Sequence, residues 1–210
     1  MLYFLRGLTH LCAFFFTFYN VLPAQAQDSA SVLSEPSDRV LGQRDAPITL
    51  YEYSSLTCPH CATFHTDTLP KLKENYIDTG KVRLILRDFP LDRLSLVGAM
   101  MARCAPGNRY YTVMGVLFSQ QGELTRSENP LDYLKQTGRL AGMTSNKLDA
   151  CFKNEDLLRS IQRTQKAAED HYGIRSTPSF VINENLYTGL PTYRGLSDAL
   201  NEALKAKGLM

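Results

Sequence analysis

Ser54-Ser55-Leu56-Thr57-Cys58-Pro59-His60-Cys61-Ala62-Thr63-Phe64-His65 sets two thiols three positions apart, with a proline and a histidine between them and a second histidine one turn further on. A Cys-x-x-Cys pair serves zinc ribbons, haem attachment and redox centres alike, so spacing alone does not choose. The neighbours narrow the choice. Haem attachment requires a histidine directly after the second cysteine, and Ala62 stands there. A structural zinc ion takes four ligands, and Cys58, Cys61 and His65 supply at most three. A purely structural staple across so short a loop would remove little entropy from the unfolded chain. The reactive dithiol is the leading reading, with a secreted metal-binding module kept as an alternative of another class.

Outward from this stretch, Ile48-Thr49-Leu50-Tyr51-Glu52-Tyr53 is rich in β-branched and aromatic residues and follows Asp45-Ala46-Pro47, so it predicts a strand. From Pro59 to about Tyr76 the apolar positions Phe64, Leu69, Leu72 and Tyr76 recur at helical spacing. Pro59 falls in the first turn, where a missing N–H is harmless, Pro70 predicts a kink, and Gly80 ends the helix. Val82 to Arg87 predicts a second strand, completing a parallel strand-helix-strand unit. The period is then helical for about 80 residues: Leu94 to Cys104, Tyr110 to Phe118, Leu131 to Leu140, a short helix around Leu148 to Phe152, and a longer one from Leu157 to Tyr172 stopped by Gly173. Strands return at Ser179 to Asn183 and Leu186 to Thr188, split by the turn signal Asn183-Glu184-Asn185, and a last helix aligns Leu196, Leu200, Ala203 and Leu204.

The N-terminus carries Arg6, the apolar stretch Leu11 to Tyr19, and the small-residue pattern Ala24-Gln25-Ala26. That is the form of a secretory signal peptide cleaved after Ala26, and its apolar core is shorter than the roughly 20 residues of a membrane span. Cys12 would leave with it, and the remaining cysteines, Cys58, Cys61, Cys104 and Cys151, are even in number, as suits an oxidising compartment. Net charge falls from +2 to +1 with the loss of Arg6, and no basic block is left, which argues against nucleic acid or anionic membrane as partners.

Strand, Cys-Pro-His-Cys at a helix start, strand, helical insertion, then Thr177-Pro178 opening a strand: together these resemble the DsbA-like thiol-disulfide oxidoreductases of the thioredoxin superfamily, over about residues 40 to 205. Leu41 to His65 looks most like the proteobacterial versions. The resemblance implies an α/β, thioredoxin-like fold with an inserted helical domain. The expected layout is a signal peptide over 1–26, a flexible lead-in over 27–40, a thioredoxin-like domain over 41–90 and 157–207, and the inserted domain over 91–156. It also implies a cis proline at Pro178 facing the cysteines, a Thr177 that tunes the nearby sulfur, and a buried Glu52 that helps move protons beneath the site. In the family such a glutamate commonly lies beside a lysine of the next strand. Here Leu84 aligns with that lysine, with Arg83 and Arg87 nearby, so the sequence departs from the pattern.

Elementary chemistry runs parallel to the resemblance. A sulfur at the helix N-cap faces unpaired N–H groups and the positive end of the helix dipole, both of which favour the thiolate. Cys58 is therefore the expected nucleophile, His60 can add a hydrogen bond or positive charge, and Cys61, one turn further in, is the expected resolving thiol. In the family's type member the nucleophile has a pKa near 3.5. Against a free thiol near 8.5, that separation is worth about 7 kcal/mol in favour of the thiolate. His65 reads as structural and His171 as solvated. Cys104 and Cys151, each on the apolar stripe of a short helix and neither with an activating proline or histidine, are expected to form a second disulfide inside the insertion.

The function expected on these grounds is a monomeric periplasmic oxidase that passes its disulfide to reduced exported proteins, needs no cofactor, and is reoxidised by a membrane, quinone-linked partner of the DsbB type. An isomerase or reductase with the same centre is the alternative. It is weakened because dimeric isomerases of the superfamily carry an added N-terminal dimerisation domain, whereas only about 20 residues separate Ala26 from the first predicted strand.

Overall fold

The structure, a computed structural model, describes residues 38–209; the expected signal peptide and most of the lead-in lie outside the described residues. Five strands form one sheet in the order β1-β3-β2-β4-β5. β2 (Ile48–Ser54) and β3 (Val82–Asp88) pair in parallel, with Leu50 opposite Leu84 and Glu52 opposite Leu86. β4 (Ser179–Ile182) lies antiparallel on the other side of β2, with Phe180 opposite Glu52, and β5 (Asn185–Tyr187) closes that edge. β1 (Val40–Leu41) runs antiparallel to β3. The chain is thus paired within the sheet from Val40, and Asp38 is already fixed by an ion pair to Arg87. Two residues carry no period, which is why β1 leaves no mark in the sequence.

Between β2 and β3 runs one helical stretch, α1, composed of Pro59–Thr63, a wide π-helical turn at Phe64–Thr68, Leu69–Leu72, and a second wide turn at Lys73–Ile77. Pro70 has no N–H to offer, and its ring crowds the carbonyl four residues back. The break predicted at Pro70 takes the form of the wide turn that precedes it. Alternation in the strands then sorts the core. Ile48, Leu50, Val82, Leu84, Phe180 and Ile182 pack with Phe64 and Leu72 of α1 and with Leu196 and Leu200 of the C-terminal helix. Tyr51, Tyr53, Ile85 and Val181 face the other way, toward Ala168 and Ile174.

The helical insertion contains α2 (Arg93–Arg103), α3 (Tyr110–Ser119), α4 (Gln121–Arg126), α5 (Pro130–Leu140) and α6 (Ser145–Phe152), followed by α7 (Glu155–Tyr172). α8 (Tyr193–Ala206) ends the fold. Asp92, Thr144, Asn154 and Thr192 accept hydrogen bonds from backbone N–H groups at the starts of α2, α6, α7 and α8. Gly173 stops α7 in the left-handed conformation, φ 68°, which a glycine adopts without penalty. α4 was not predicted: it has six residues, one of them Gly122, and only Gln121 and Leu124 are buried, too few to mark a period.

The insertion's core, built from Met101, Val113, Leu117, Phe118, Leu134 and Leu148, continues into Leu56, Cys58, Cys61 and Leu86 without a boundary. One position makes this contact possible. A Cβ at Gly98 on α2 would stand 2.3 Å from Leu56 Cδ2, so any larger residue there would force the Leu56 side chain, in the loop before Cys58, to shift. Cys104 and Cys151 are joined by a disulfide with Cα atoms 6.2 Å apart, tying the end of α2 to α6.

Candidate active site

Cys58 is the N-cap of α1, with extended backbone at φ −82° and ψ 117°, and Pro59 occupies the first helical position. Its N–H donates to Ser55 O at 3.1 Å, and its carbonyl accepts from Cys61 N and Ala62 N at 3.1 and 3.2 Å, which closes the first turn over the dithiol. Cys58 is buried but for 7% of its surface, whereas Cys61 is fully buried. Both are unbonded thiols in this structure. The Cys58 thiol donates to the carbonyl of Thr177 at 3.2 Å. That carbonyl belongs to the cis Thr177–Pro178 bond, which leads into β4 and lies against the dithiol.

The loop carrying Cys58 is held from the helical insertion. Ser95 Oγ accepts the Leu56 N–H at 2.9 Å and bonds Ser55 Oγ at 2.8 Å, while Thr57 Oγ1 donates to Asp92 Oδ2 at 2.6 Å. From α4, the amide of buried Gln121 donates to Leu56 O at 2.6 Å and to Cys58 O at 2.8 Å. Sequence reasoning missed Gln121, Ser95 and Asp92. The Asp92-x-x-Ser95 helix start is legible as a cap, but its second use, as a clamp on residues 40 positions earlier, has no local signal.

Burial pushes the Cys61 thiol well above its ordinary value, and the charge of Glu52 pushes in the same direction. Glu52 itself is fully buried, and His65 Nε2 lies 3.0 Å from each of its carboxylate oxygens. His65 sits in the wide turn of α1, its side chain only 4% exposed, and Phe118 of α3 stacks on its ring at 4.0 Å and 20°. The expected alignment needs correction here. β3 sets Leu86 opposite Glu52, whereas Leu84 faces Leu50, so the apolar neighbour is Leu86. Arg83 and Arg87 point to the opposite face, where Arg83 donates to Thr49 Oγ1 and to Arg44 O, and Arg87 pairs with Asp38 and lies over the Tyr51 ring.

The structure does not bring every candidate together. His60 is exposed and its side chain has no hydrogen-bond partner among the described residues, so its contribution to Cys58 is confined to its place in the first turn. Thr177 enters through its backbone carbonyl, while its buried hydroxyl is without a hydrogen-bond partner among the described residues. Among the described residues no group of three or more His, Cys, Asp and Glu is placed to hold a metal ion, and no helix is long and apolar enough to cross a membrane.

Comparison with known proteins places this geometry. A family model described as thioredoxin matches residues 34–202. A protein of Rickettsia bellii, provisionally named a protein-disulfide oxidoreductase, is 28% identical over 172 residues, 81% of this chain and 66% of that protein. Disulfide bond formation protein D of Bacillus subtilis is 24% identical over 191 residues, 86% of this chain and 85% of that protein. The chain spans just under two thirds of the rickettsial relatives it matches. Among solved structures, the crystal structure of Wolbachia pipientis alpha-DsbA1 superposes with a TM-score of 0.77 at 28% identity, covering 85% of this chain and 96% of that one. Oxidised BdbD of Bacillus subtilis superposes at 0.74 with 20% identity, over 82% and 95%, a likeness of fold. With a family model spanning most of its length and a DsbA-like fold, the chain belongs to the thioredoxin family.

Proposed function

We propose that the protein is a periplasmic thiol-disulfide oxidase that introduces disulfides into reduced exported proteins. The observation that carries this reading is the asymmetry of the dithiol. Cys58 stands at the helix N-terminus beside the Thr177 carbonyl, and Cys61 is sealed beneath it at a site where burial and Glu52 favour the protonated thiol. In the oxidised form, a substrate thiolate attacks Cys58 Sγ, and the Cys58–Cys61 bond breaks. The electron pair leaves with Cys61, which is then protonated. The second substrate thiolate attacks the substrate sulfur of the mixed disulfide, Cys58 departs as a thiolate, and the substrate keeps the new bond.

In this reading Cys58 is the attacked and attacking sulfur, Cys61 the resolving one, and Glu52 moves protons beneath the site. The backbone at Thr177, just ahead of the cis Pro178, is the stretch with which extended substrate pairs. The products are an oxidised substrate and a reduced enzyme, so catalysis requires a separate reoxidant. A membrane, quinone-linked protein of the DsbB type fits that need, as do export by a cleaved signal peptide and a monomeric enzyme. The names of the rickettsial and Bacillus relatives support the same chemistry. The test is single-turnover oxidation of a reduced, unfolded dithiol substrate by the oxidised protein. Stoichiometric transfer of one disulfide per Cys58–Cys61 pair is expected, and failure to oxidise any dithiol would overturn the reading.

A further inference from the structure

In a doubly buried dithiol, the step that is hardest to complete is the one that moves a proton on or off Cys61. The thiol is fully buried and favours its proton. The carboxylate whose charge acts on the Cys61 thiol is Glu52, fully buried on β2. A buried carboxylate needs a partner, because unpaired burial is costly. β3 offers only Leu86 and β4 only Phe180 at the positions opposite Glu52. The partner comes instead from α1. His65 lies four residues after Cys61, its Nε2 shared between both carboxylate oxygens at 3.0 Å. Phe118 stacks on one face of the ring and Phe64 meets it edge-on at 5.5 Å and 84°, so its orientation is set by packing. The wide turn that absorbs Pro70 is the segment that carries this histidine, and such turns recur at functional sites.

We infer that Glu52 and His65 act as one proton-holding unit for Cys61, and that His65 is the positioning residue that keeps Glu52 competent to take up and return the proton. This rests on the proposed oxidoreductase reading. In the closing step the Cys61 thiol gives its proton to the pair, the thiolate attacks Cys58 Sγ in the mixed disulfide, and the Cys58–substrate bond breaks. The substrate sulfur leaves with the electron pair and is protonated by solvent. In the opening step Cys61 leaves as a thiolate and recovers the same proton. The oxidant in the closing direction is the incoming disulfide itself.

The pair's other surroundings are neutral at working pH. From α3, Tyr110 and Tyr111 are buried phenols whose protons are held more tightly by burial and also by the Glu52 charge. Behind Tyr110 the charged residues Asp88 and Arg103 compensate one another in an ion pair. Of the other titratable groups on α1 and its cap, His60, Asp67, Lys71, Lys73 and Glu74 are exposed, Tyr76 donates to Asn201, and Cys58 and Cys61 are buried. The pH dependence of closure therefore belongs to Glu52 and His65 together.

The experiment mixes reduced protein with oxidised glutathione at a series of pH values, quenches with acid, and follows two steps by mass spectrometry: formation of the Cys58–glutathione mixed disulfide, and its closure by Cys61. In the native protein, closure should rise through one inflection. His65→Gln should slow closure at least about tenfold near pH 7 and move the inflection alkaline, with formation unchanged within twofold. His65→Lys, which places a permanent donor and cation beside Glu52, should recover most of the neutral-pH rate. Glu52→Gln, which keeps the shape and a hydrogen bond to His65, should abolish the inflection and keeps the test decisive if His65→Gln does not fold. A His65→Gln profile that matches the native one, or that is slowed equally at every pH, would overturn the inference. If the native protein forms no mixed disulfide at Cys58, the oxidoreductase reading itself fails, and the two failures are thereby distinguished.

Discussion

The Cys58 sulfur and the Thr177 carbonyl oxygen, 119 positions apart in sequence, lie 3.2 Å from one another. The contact joins the start of α1 to the backbone just ahead of β4 and places the sulfur at the seam between them. A sulfur at the seam and a sealed partner beneath it divide the work unequally. Cys58→Ser should abolish dithiol oxidation. Cys61→Ser should retain attack at Cys58 and accumulate mixed disulfides with substrates, visible on non-reducing gels. Equal activity of the two variants would contradict the division.

Gln121 bridges the insertion to the site by donating both amide hydrogens, one to Leu56 O and one to Cys58 O. The Cys58 carbonyl keeps its two helical donors without Gln121, whereas the buried Leu56 carbonyl is left short of its amide. Gln121→Met, similar in shape but with no donor, should cost about 1–3 kcal/mol in urea unfolding, the penalty for an orphaned buried acceptor. An unchanged midpoint and slope would mean the contact is energetically idle.

Much of this architecture is legible from local pattern, and the reasons for the exceptions are physical. Alternation marks β2 and β3 because one face of each meets α1 and α8, and caps mark the helices because orphan N–H groups need them. β1 and α4 fall below the length at which a period exists. The dithiol is legible because its spacing and proline are local. Glu52 is legible as a carboxylate on an apolar face, yet its partner is not: the position opposite it on β3 is Leu86, and the structure supplies His65 from the helix. The clamp by Ser95, Asp92 and Gln121 is likewise a product of tertiary packing between segments far apart in sequence.

The disulfide between Cys104 and Cys151 closes 47 positions of chain among short helices. In the chain-entropy account its removal should cost up to about 4 kcal/mol. Cys104→Ala with Cys151→Ala should lower the melting temperature while leaving dithiol oxidation largely intact, checked by calorimetry beside a turnover assay. Loss of oxidation in a fully folded variant would assign the bridge a role beyond stability.

Burial and the Glu52 charge raise the Cys61 proton affinity in the folded state above the ordinary thiol value of about 8.5. Above that value the unfolded chain sheds the proton while the folded one keeps it, so stability must fall as pH rises, by up to about 1.4 kcal/mol per pH unit for one such group. Below it the group contributes no slope. Comparing reduced Cys58→Ser with Cys58→Ser/Cys61→Ser isolates the effect, since buried tyrosines contribute equally to both. Denaturation at pH 8 to 10.5 should show the steeper decline only where Cys61 is present, and parallel curves would contradict it.

The account stands on Cys58–Cys61 being a transferable bond, and the most direct measurement is its equilibrium with glutathione, read by alkylation of quenched samples and mass spectrometry. Two thiols, on Cys58 and Cys61, should appear together at a potential well above the roughly −300 mV below which structural disulfides lie, while Cys104–Cys151 stays closed. A Cys58–Cys61 bond that resists reduction to below about −300 mV would be a structural staple and would contradict the proposed function.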